Sequence, residues 1–341
     1  MFKNSYKFLF FNSMMIGSLI SISASSWFSV WMGLEINLLS FIPLIMMSKN
    51  LFSSESSLKY FLIQAIASAI LLFSIIMFFM FLNLKYENNF IYSSLLISST
   101  MMLKCGAAPF HFWLPSVMEG LTWSNNFLLM TWQKVAPLMI ISYMMNFNLL
   151  IISIFLAMIF GSMGGLNQTS LRKLMAFSSI NHLGWMMAGM LYNQTLWLMY
   201  FFIYLFLNLS IVFMFNNFKI FNINQTFKMF NSNKFLKIMM FIPLLSLGGL
   251  PPFFGFFPKW LIIEMLVKNN MYLMLNFMLF LTLITLYFYL RISYSTLMFN
   301  YTEMNWNFKN FLNKKNILIL SFVNFISIFG LIMAFLAYYL I

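Results

Sequence analysis

The chain contains no aspartate, and its only acids are glutamates; Asp and Glu together number 6 in 341 residues. It has 1 cysteine, Cys105, and 2 histidines, His111 and His182. Only 7% of its residues are charged, against roughly 25% in a soluble domain. Each scarcity excludes something. A lone cysteine excludes an internal disulfide framework. With two histidines it also leaves too few ligands for an iron–sulfur cluster or a structural zinc site. The glycine-rich run GSMGGL (161–166) lacks the spacing of a dinucleotide fingerprint and lies in apolar sequence. The N-terminus, MFKNSYKFLFFNSMM, has no arginine and no small-residue cleavage site after its apolar run, so it reads as a first membrane helix rather than a leader.

What is abundant is apolar: 62% of residues are hydrophobic, with 45 Phe and 33 Met, a composition that fits an AT-rich organellar gene. There is not enough polar surface to cover a water-facing globule, so lipid and other protein must solvate the chain. A helix needs about 20 apolar residues to cross a bilayer. Spans read at about 8–24, 27–47, 57–82, 91–118, 125–144, 149–166, 172–191, 195–217, 236–265, 272–296 and 317–341. The expectation is an all-α polytopic membrane protein of about 11 transmembrane helices, one membrane domain over 1–341.

Charge placement follows that count. The N-terminal side holds Lys3, Lys7, Lys49, Lys59, Arg172, Lys173, Lys219, Lys228, Lys234, Lys237, Lys309, Lys314 and Lys315; the other side holds only Lys85 and Lys268. Under the positive-inside rule the N-terminus faces the matrix or cytoplasm, and the C-terminus faces the opposite side. The net charge of +13 therefore speaks for topology and anionic phospholipid such as cardiolipin, not for nucleic acid. Arg291 lies near a helix end and is free to snorkel.

Two long segments, about 91–118 and 236–265, are interrupted. The first reads KCGAAPFHFWLP (104–115) and the second LGGLPPFFGFFPKW (247–260). Pro109, Pro115, Pro251, Pro252 and Pro258 each remove a backbone donor and crowd the preceding turn. Both breaks contain G-x-x-P-F, at Gly106–Phe110 and Gly249–Phe253. They are five helices apart, so two such units insert with opposite topology. Inverted five-helix repeats are therefore expected, repeat one about 8–144 and repeat two about 149–296, with a C-terminal helix at about 317–341. Discontinuous helices in inverted repeats are a transporter design with the working site near mid-membrane. The plainer reading is that the prolines only kink helices to improve packing.

Apart from charges near span ends, four charged residues fall inside spans: Glu35, Lys104, Lys134 and Lys259. Each buried lysine costs about 2.5–3.5 kcal/mol on insertion scales, so it should pair or face internal water. Static ion pairs are the plainer reading, and Glu264 stands close enough in sequence to neutralise Lys259. His182 is a candidate relay or an ordinary buried histidine; His111, Glu119 and Glu303 are weaker candidates. Desolvation lowers a lysine pKa by up to ~3–5 units and a nearby carboxylate restores it. A three-unit swing is about 4 kcal/mol, comparable to the ~3.5–4.6 kcal/mol for moving one charge against ~150–200 mV. A Glu/Lys chain is thus sufficient chemistry for uphill proton transfer, provided something outside the chain drives it.

Together, LKCGAAPFHFWLPSVMEGLTW, LLMTWQKVAPL, SSINHLGWM and LPPFFGFFPKW resemble the chain 2 family of NADH–ubiquinone oxidoreductase, antiporter-like membrane subunits of mitochondrial respiratory complex I. The resemblance runs through most of the chain and suits an insect-like version. Bacterial relatives have fourteen helices, so three are missing here by comparison. It implies proton translocation across the mitochondrial inner membrane through Glu35, Lys104, Lys134 and Lys259, driven by quinone reduction elsewhere. It also implies NADH, FMN, iron–sulfur clusters and ubiquinone in other subunits, none bound by this chain, and neighbouring antiporter-like subunits as partners. A stand-alone cation/proton antiporter and a structural assembly subunit are the alternative expectations.

Overall fold

The computed structural model describes residues 5–46, 50–84, 87–229, 234–298, 321–331 and 335. Its elements are α1 (Ser5–Ser23), α2 (Trp27–Ile45), α3 (Leu51–Leu84), α4 (Glu87–Cys105), α5 (Trp113–Gly120), α6 (Trp123–Met130) and α7 (Trp132–Tyr143). There follow α8 (Phe147–Gly165), α9 (Leu171–Met190), α10 (Gln194–Phe218), α11 (Ile223–Met229), α12 (Lys234–Gly248), α13 (Phe256–Lys268) and α14 (Tyr272–Met298). A last helix, α15, covers Ser321–Leu331. Among the described residues there is no strand, only an isolated bridge between Ser170 and Asn222.

Among the described residues, 5 helices are long and apolar enough to cross a membrane: Trp27–Ile45, Leu51–Met80, Phe147–Gly165, Gln194–Phe218 and Tyr272–Tyr294. Their faces are arranged for lipid. On α3, Phe73, Ile76 and Met80 are exposed, while Ser53, Ser56, Ser57, Gln64, Ser68 and Ser74 are buried. Water would reverse that pattern; in lipid the backbone is satisfied within each helix and polar side chains gather between helices. Serine hydroxyls back-bond to carbonyls one turn earlier, as Ser74 does to Leu71 at 2.7 Å.

The chain forms two compact units, Met1–Ala157 and Met158–Ile341. In the first, α1 and α2 pack closely. A Cβ on Gly17 would lie 2.9 Å from the Asn37 nitrogen, and one on Gly33 would lie 2.7 Å from the Ser21 nitrogen. Small residues allow this approach. α3 packs on α2, α4 and α5, and α7 packs on α1, α4 and α6. In the second unit, α10 packs on α9, α12 and α13, while α14 packs on α11, α12 and α13.

Three expectations need correction. The span at 125–144 is not one helix: it divides at Thr131, between α6 and α7. Pro137 lies inside α7 and takes the donor from the Gln133 carbonyl, which loosens the helix start just below the division. The helix expected at 57–82 begins at Leu51 and so takes in Glu55, which pairs with Lys59 one turn on at 2.6 Å. The loop after 217 contains the short helix α11. Of the expected C-terminal helix, 321–331 is helical and 317–320 lies outside the described residues, as do Lys3, Lys49, Lys85, Glu303, Lys309, Lys314 and Lys315.

Candidate functional site

Both expected breaks are present, and their local geometry matches. α4 is followed by Gly106, φ +71°, and α12 by Gly249, φ +82°. Left-handed backbone at the residue after a helix favours glycine, which has no Cβ to clash. Gly106 N–H donates to the Leu103 carbonyl (3.1 Å) and Ala107 N–H to Met102 (2.9 Å). Gly249 N–H donates to Ser246 (3.0 Å) and Leu250 N–H to Leu245 (3.5 Å). Phe110 N–H then closes on Ala107 (2.9 Å), and Phe253 N–H on Leu250 (3.0 Å). The second half-helices, α5 and α13, each begin seven residues after the glycine and carry proline at their third position, Pro115 and Pro258. The shared pattern is therefore longer than G-x-x-P-F: it runs from the glycine to a proline nine residues on.

Ending a helix frees its last carbonyls. In the first break, Trp113 Nε1 donates to the Leu103 carbonyl (3.1 Å) and Gln64 Nε2 to the Lys104 carbonyl (3.4 Å). In the second, Lys259 Nζ donates to the carbonyls of Leu247 (3.2 Å) and Gly248 (3.0 Å). Leu247 stands two residues before its glycine, as Lys104 does in the first break. The two lysines differ in sequence position, yet the Lys259 ammonium bonds the backbone at the place where the first break carries its own lysine. A cation at a helix C-terminus is also favoured by the helix dipole.

In the first unit the structure gathers three of the expected residues. Lys134 is 0% exposed and Lys104 7%. Glu35, half-buried on α2, acts electrostatically on Lys104. Among the described residues the two form no contact ion pair, so the influence is through space. Lys134 enters in the first turn of α7, its N–H bonded to the Thr131 carbonyl at 3.1 Å. It lies within electrostatic reach of Cys105, the residue after Lys104, because the end of α4 packs on the start of α7. Buried neutral residues that sequence reasoning passed over stand among them. Gln133 Nε2 donates to Asn37 Oδ1 (3.0 Å), and the Tyr60 hydroxyl reaches Gln133 Oε1 (3.5 Å). Charge marks a residue in apolar sequence; an amide one position away does not stand out.

In the second unit Lys259 is 5% exposed and lies 5.9 Å from the centre of the Trp185 ring. Trp185 is one turn along α9 from His182, whose Nδ1 is 2.7 Å from the Tyr200 hydroxyl. The His182 ring also lies 5.0 Å from that of Tyr204. Ser179 and Asn208 flank the Tyr204 hydroxyl, and Ser178 flanks that of Tyr289. These groups form a buried hydroxyl and amide cluster around the candidate relay. His111 is buried too, its ring tilted against that of Phe112 with centroids 4.3 Å apart. Arg291 caps α8 by donating to the Leu166 carbonyl at 3.1 Å.

Glu264 does not neutralise Lys259. It pairs with Lys268 one helical turn on, at 2.7 Å. Glu264→Gln is accordingly expected to leave the abundance of membrane-inserted protein within about twofold of the parent, since exposed pairs of this kind contribute roughly 0–1 kcal/mol. A severalfold loss, read on membrane fractions, would reinstate Glu264 as a partner of the site.

Residues 24–285 match the NADH:quinone oxidoreductase/Mrp antiporter transmembrane family, and residues 286–338 match the NADH dehydrogenase subunit 2 C-terminus. The NADH-ubiquinone oxidoreductase chain 2 of Anopheles gambiae is 57% identical over 334 residues, covering 97% of each chain. The chain belongs to the NADH-ubiquinone oxidoreductase chain 2 family. Its fold extends further than this family. A chain of respiratory complex I from Thermus thermophilus superposes with a TM-score of 0.86 at 20% identity, covering 97% of this chain and 79% of that one. A chain of the archaeal membrane-bound sulfane sulfur reductase gives 0.82 at 15% identity, with 96% and 72% covered. The chain 2 family thus shares one helical architecture with subunits of complexes that carry different chemistry.

Proposed function

We propose that the chain is a membrane-arm subunit of respiratory complex I in the mitochondrial inner membrane, and that it moves protons through Glu35, Lys104, Lys134 and Lys259. The observation that carries the reading is the burial of three lysines, each at the end or start of a helix interrupted in mid-span. A lysine at such a depth is costly unless it works or pairs, and no contact carboxylate is described for Lys104 or Lys259. Glu35 sets the charge balance at Lys104, Lys134 carries the proton onward, and Lys259 hands it toward the side opposite the N-terminus. His182, bonded to Tyr200, serves as the relay in the second unit.

In this reading the chain holds an inverted pair of five-helix repeats within eleven spans, which the matching break geometry supports, and the lysine bias between the two sides supports an N-terminus in the matrix and a C-terminus in the intermembrane space. Energy comes from quinone reduction elsewhere in the complex. The iron–sulfur clusters belong to other subunits in this reading, since two histidines and one cysteine cannot ligate a cluster, and NADH, FMN and ubiquinone are assigned to those subunits with them. Neighbouring antiporter-like subunits and anionic phospholipid such as cardiolipin are the expected contacts.

The deciding experiment is proton pumping by assembled complex carrying Lys134→Met: undiminished pumping at normal quinone reduction overturns the proposal. A second reading, a stand-alone cation/proton antiporter, draws on the family's shared name with Mrp antiporters. Purified chain in liposomes separates the two, because only the antiporter moves cations without its complex. If the charged replacements lower abundance and leave pumping per complex unchanged, the residues are assembly pairs.

A further inference from the structure

The two buried lysines described in the first unit, Lys104 and Lys134, sit on helix ends that the backbone alone holds poorly. Lys104 lies in the last turn of α4, and its carbonyl finds its partner in a side chain rather than in the helix ladder. Lys134 lies in the first turn of α7, just past the division at Thr131, and Pro137 has removed the N–H that would bond the Gln133 carbonyl. Side chains beside such ends decide where the lysines stand.

Four buried neutral residues supply that hold. Tyr60 and Gln64 are four residues apart on α3, so they project from one face of it. Gln64 reaches the Lys104 carbonyl at the end of α4 (3.4 Å). Tyr60 reaches Gln133, the residue before Lys134, at 3.5 Å. Gln133 in turn donates to Asn37 at 3.0 Å. Asn37 is two residues beyond Glu35 on α2. The exposures are 4% for Asn37, 3% for Tyr60, 4% for Gln64 and 9% for Gln133. A buried amide left without its partner costs more than its hydrogen bond contributes, so such contacts specify one arrangement.

We infer that Asn37, Tyr60, Gln64 and Gln133 are positioning residues: a neutral clamp, anchored on α3, that fixes Glu35, Lys104 and Lys134 relative to one another. Amides and a phenol stay neutral while the lysines exchange protons, so the clamp holds in every charge state of the pair. This rests on the proton-transfer role proposed for the lysines. It adds that transfer from Lys104 to Lys134 depends on residues that carry no proton themselves.

The test uses assembled complex reconstituted in vesicles, with pumping expressed per NADH oxidised and followed across pH. Gln133→Met keeps length and volume but removes the amide. It is expected to lower pumping per NADH roughly three- to tenfold, the value of one buried hydrogen bond read as a rate, and to displace the pH profile. Asn37→Leu is expected to lower pumping in the same direction and no further, and the double variant to be no worse than Gln133→Met, which already removes the contact with Asn37. Unchanged pumping with an unchanged pH profile overturns the inference, as do losses that multiply in the double variant. If Gln133→Met fails to assemble, Tyr60→Phe, which removes one hydroxyl, is read the same way. Lys134→Met run alongside separates the two levels. If it pumps normally, the proton-transfer role itself fails. If it does not pump while Gln133→Met does, only the clamp fails.

Discussion

Complex carrying Lys134→Met is expected to assemble at normal abundance and to lose proton transfer through this subunit by on the order of 10²-fold or more, the scale of a missing acid–base group. Assembly should survive for physical reasons. Lys134 is wholly buried, and methionine matches its length and lack of branching. Removing a charge from mid-membrane relieves a cost of about 2.5–3.5 kcal/mol. The start of α7 also keeps its tethers, Trp132 Nε1 to Ser18 Oγ at 2.9 Å and Gln133 to Asn37 at 3.0 Å. Lys134→Arg sharpens the result. Arginine keeps the positive charge but does not release its proton under physiological conditions. If the charge alone mattered, arginine would restore function; if proton exchange matters, it fails as methionine does. Pumping and quinone reduction measured on the same vesicles distinguish these outcomes.

Gly255→Ala is expected to act through abundance instead. A Cβ there would collide with the Ser246 carbonyl oxygen and lie 2.6 Å from its carbon. Both are backbone atoms, so no rotamer change relieves the contact, and overpacking of this kind costs about 1–3 kcal/mol or more. The ends of α12 and α13 must separate. That strains the Lys259 bonds to Leu247 and Gly248, and the bond from Phe254 N–H to the Ser327 carbonyl at 3.0 Å. Assembled complex, quantified on native gels, should fall severalfold. The matching position in the first break, six residues after its glycine, is Phe112, 73% exposed. Phe112→Ala should therefore leave abundance within about twofold, the usual range for a surface change away from special features. Equal effects at the two positions would show that the contact at Gly255 does not set the fold.

The breaks were legible in the sequence because glycine and proline act locally: Gly106 and Gly249 cap α4 and α12 through backbone angles that their own chemistry permits. The buried charges were legible because lysine in apolar sequence is costly wherever it lies. The division at Thr131 was missed, although Pro137 stood in the sequence, because a proline in the first turns of a helix is tolerated as often as it disrupts. The partners of Lys259 were not legible. Glu264 is nearer to it in sequence, but an i,i+4 contact gives Glu264 to Lys268, and what holds Lys259 is backbone from another helix. Asn37, Tyr60, Gln64 and Gln133 are ordinary residues for a membrane helix; only their convergence in three dimensions distinguishes them. Pro243 illustrates the same limit. It frees the Met239 carbonyl, and the donor that satisfies it is Asn324 Nδ2 at 2.7 Å, 85 residues away.

Lys259 is solvated by two peptide oxygens much as a selectivity filter solvates a bare cation. Peptide oxygens do not titrate at either compartment's pH and do not migrate to other partners. How well the ammonium is solvated there is consequently a mechanical property, fixed by how closely the end of α12 approaches the start of α13. A change of that spacing by the breadth of a hydrogen bond would therefore strip the ammonium of both oxygens at once.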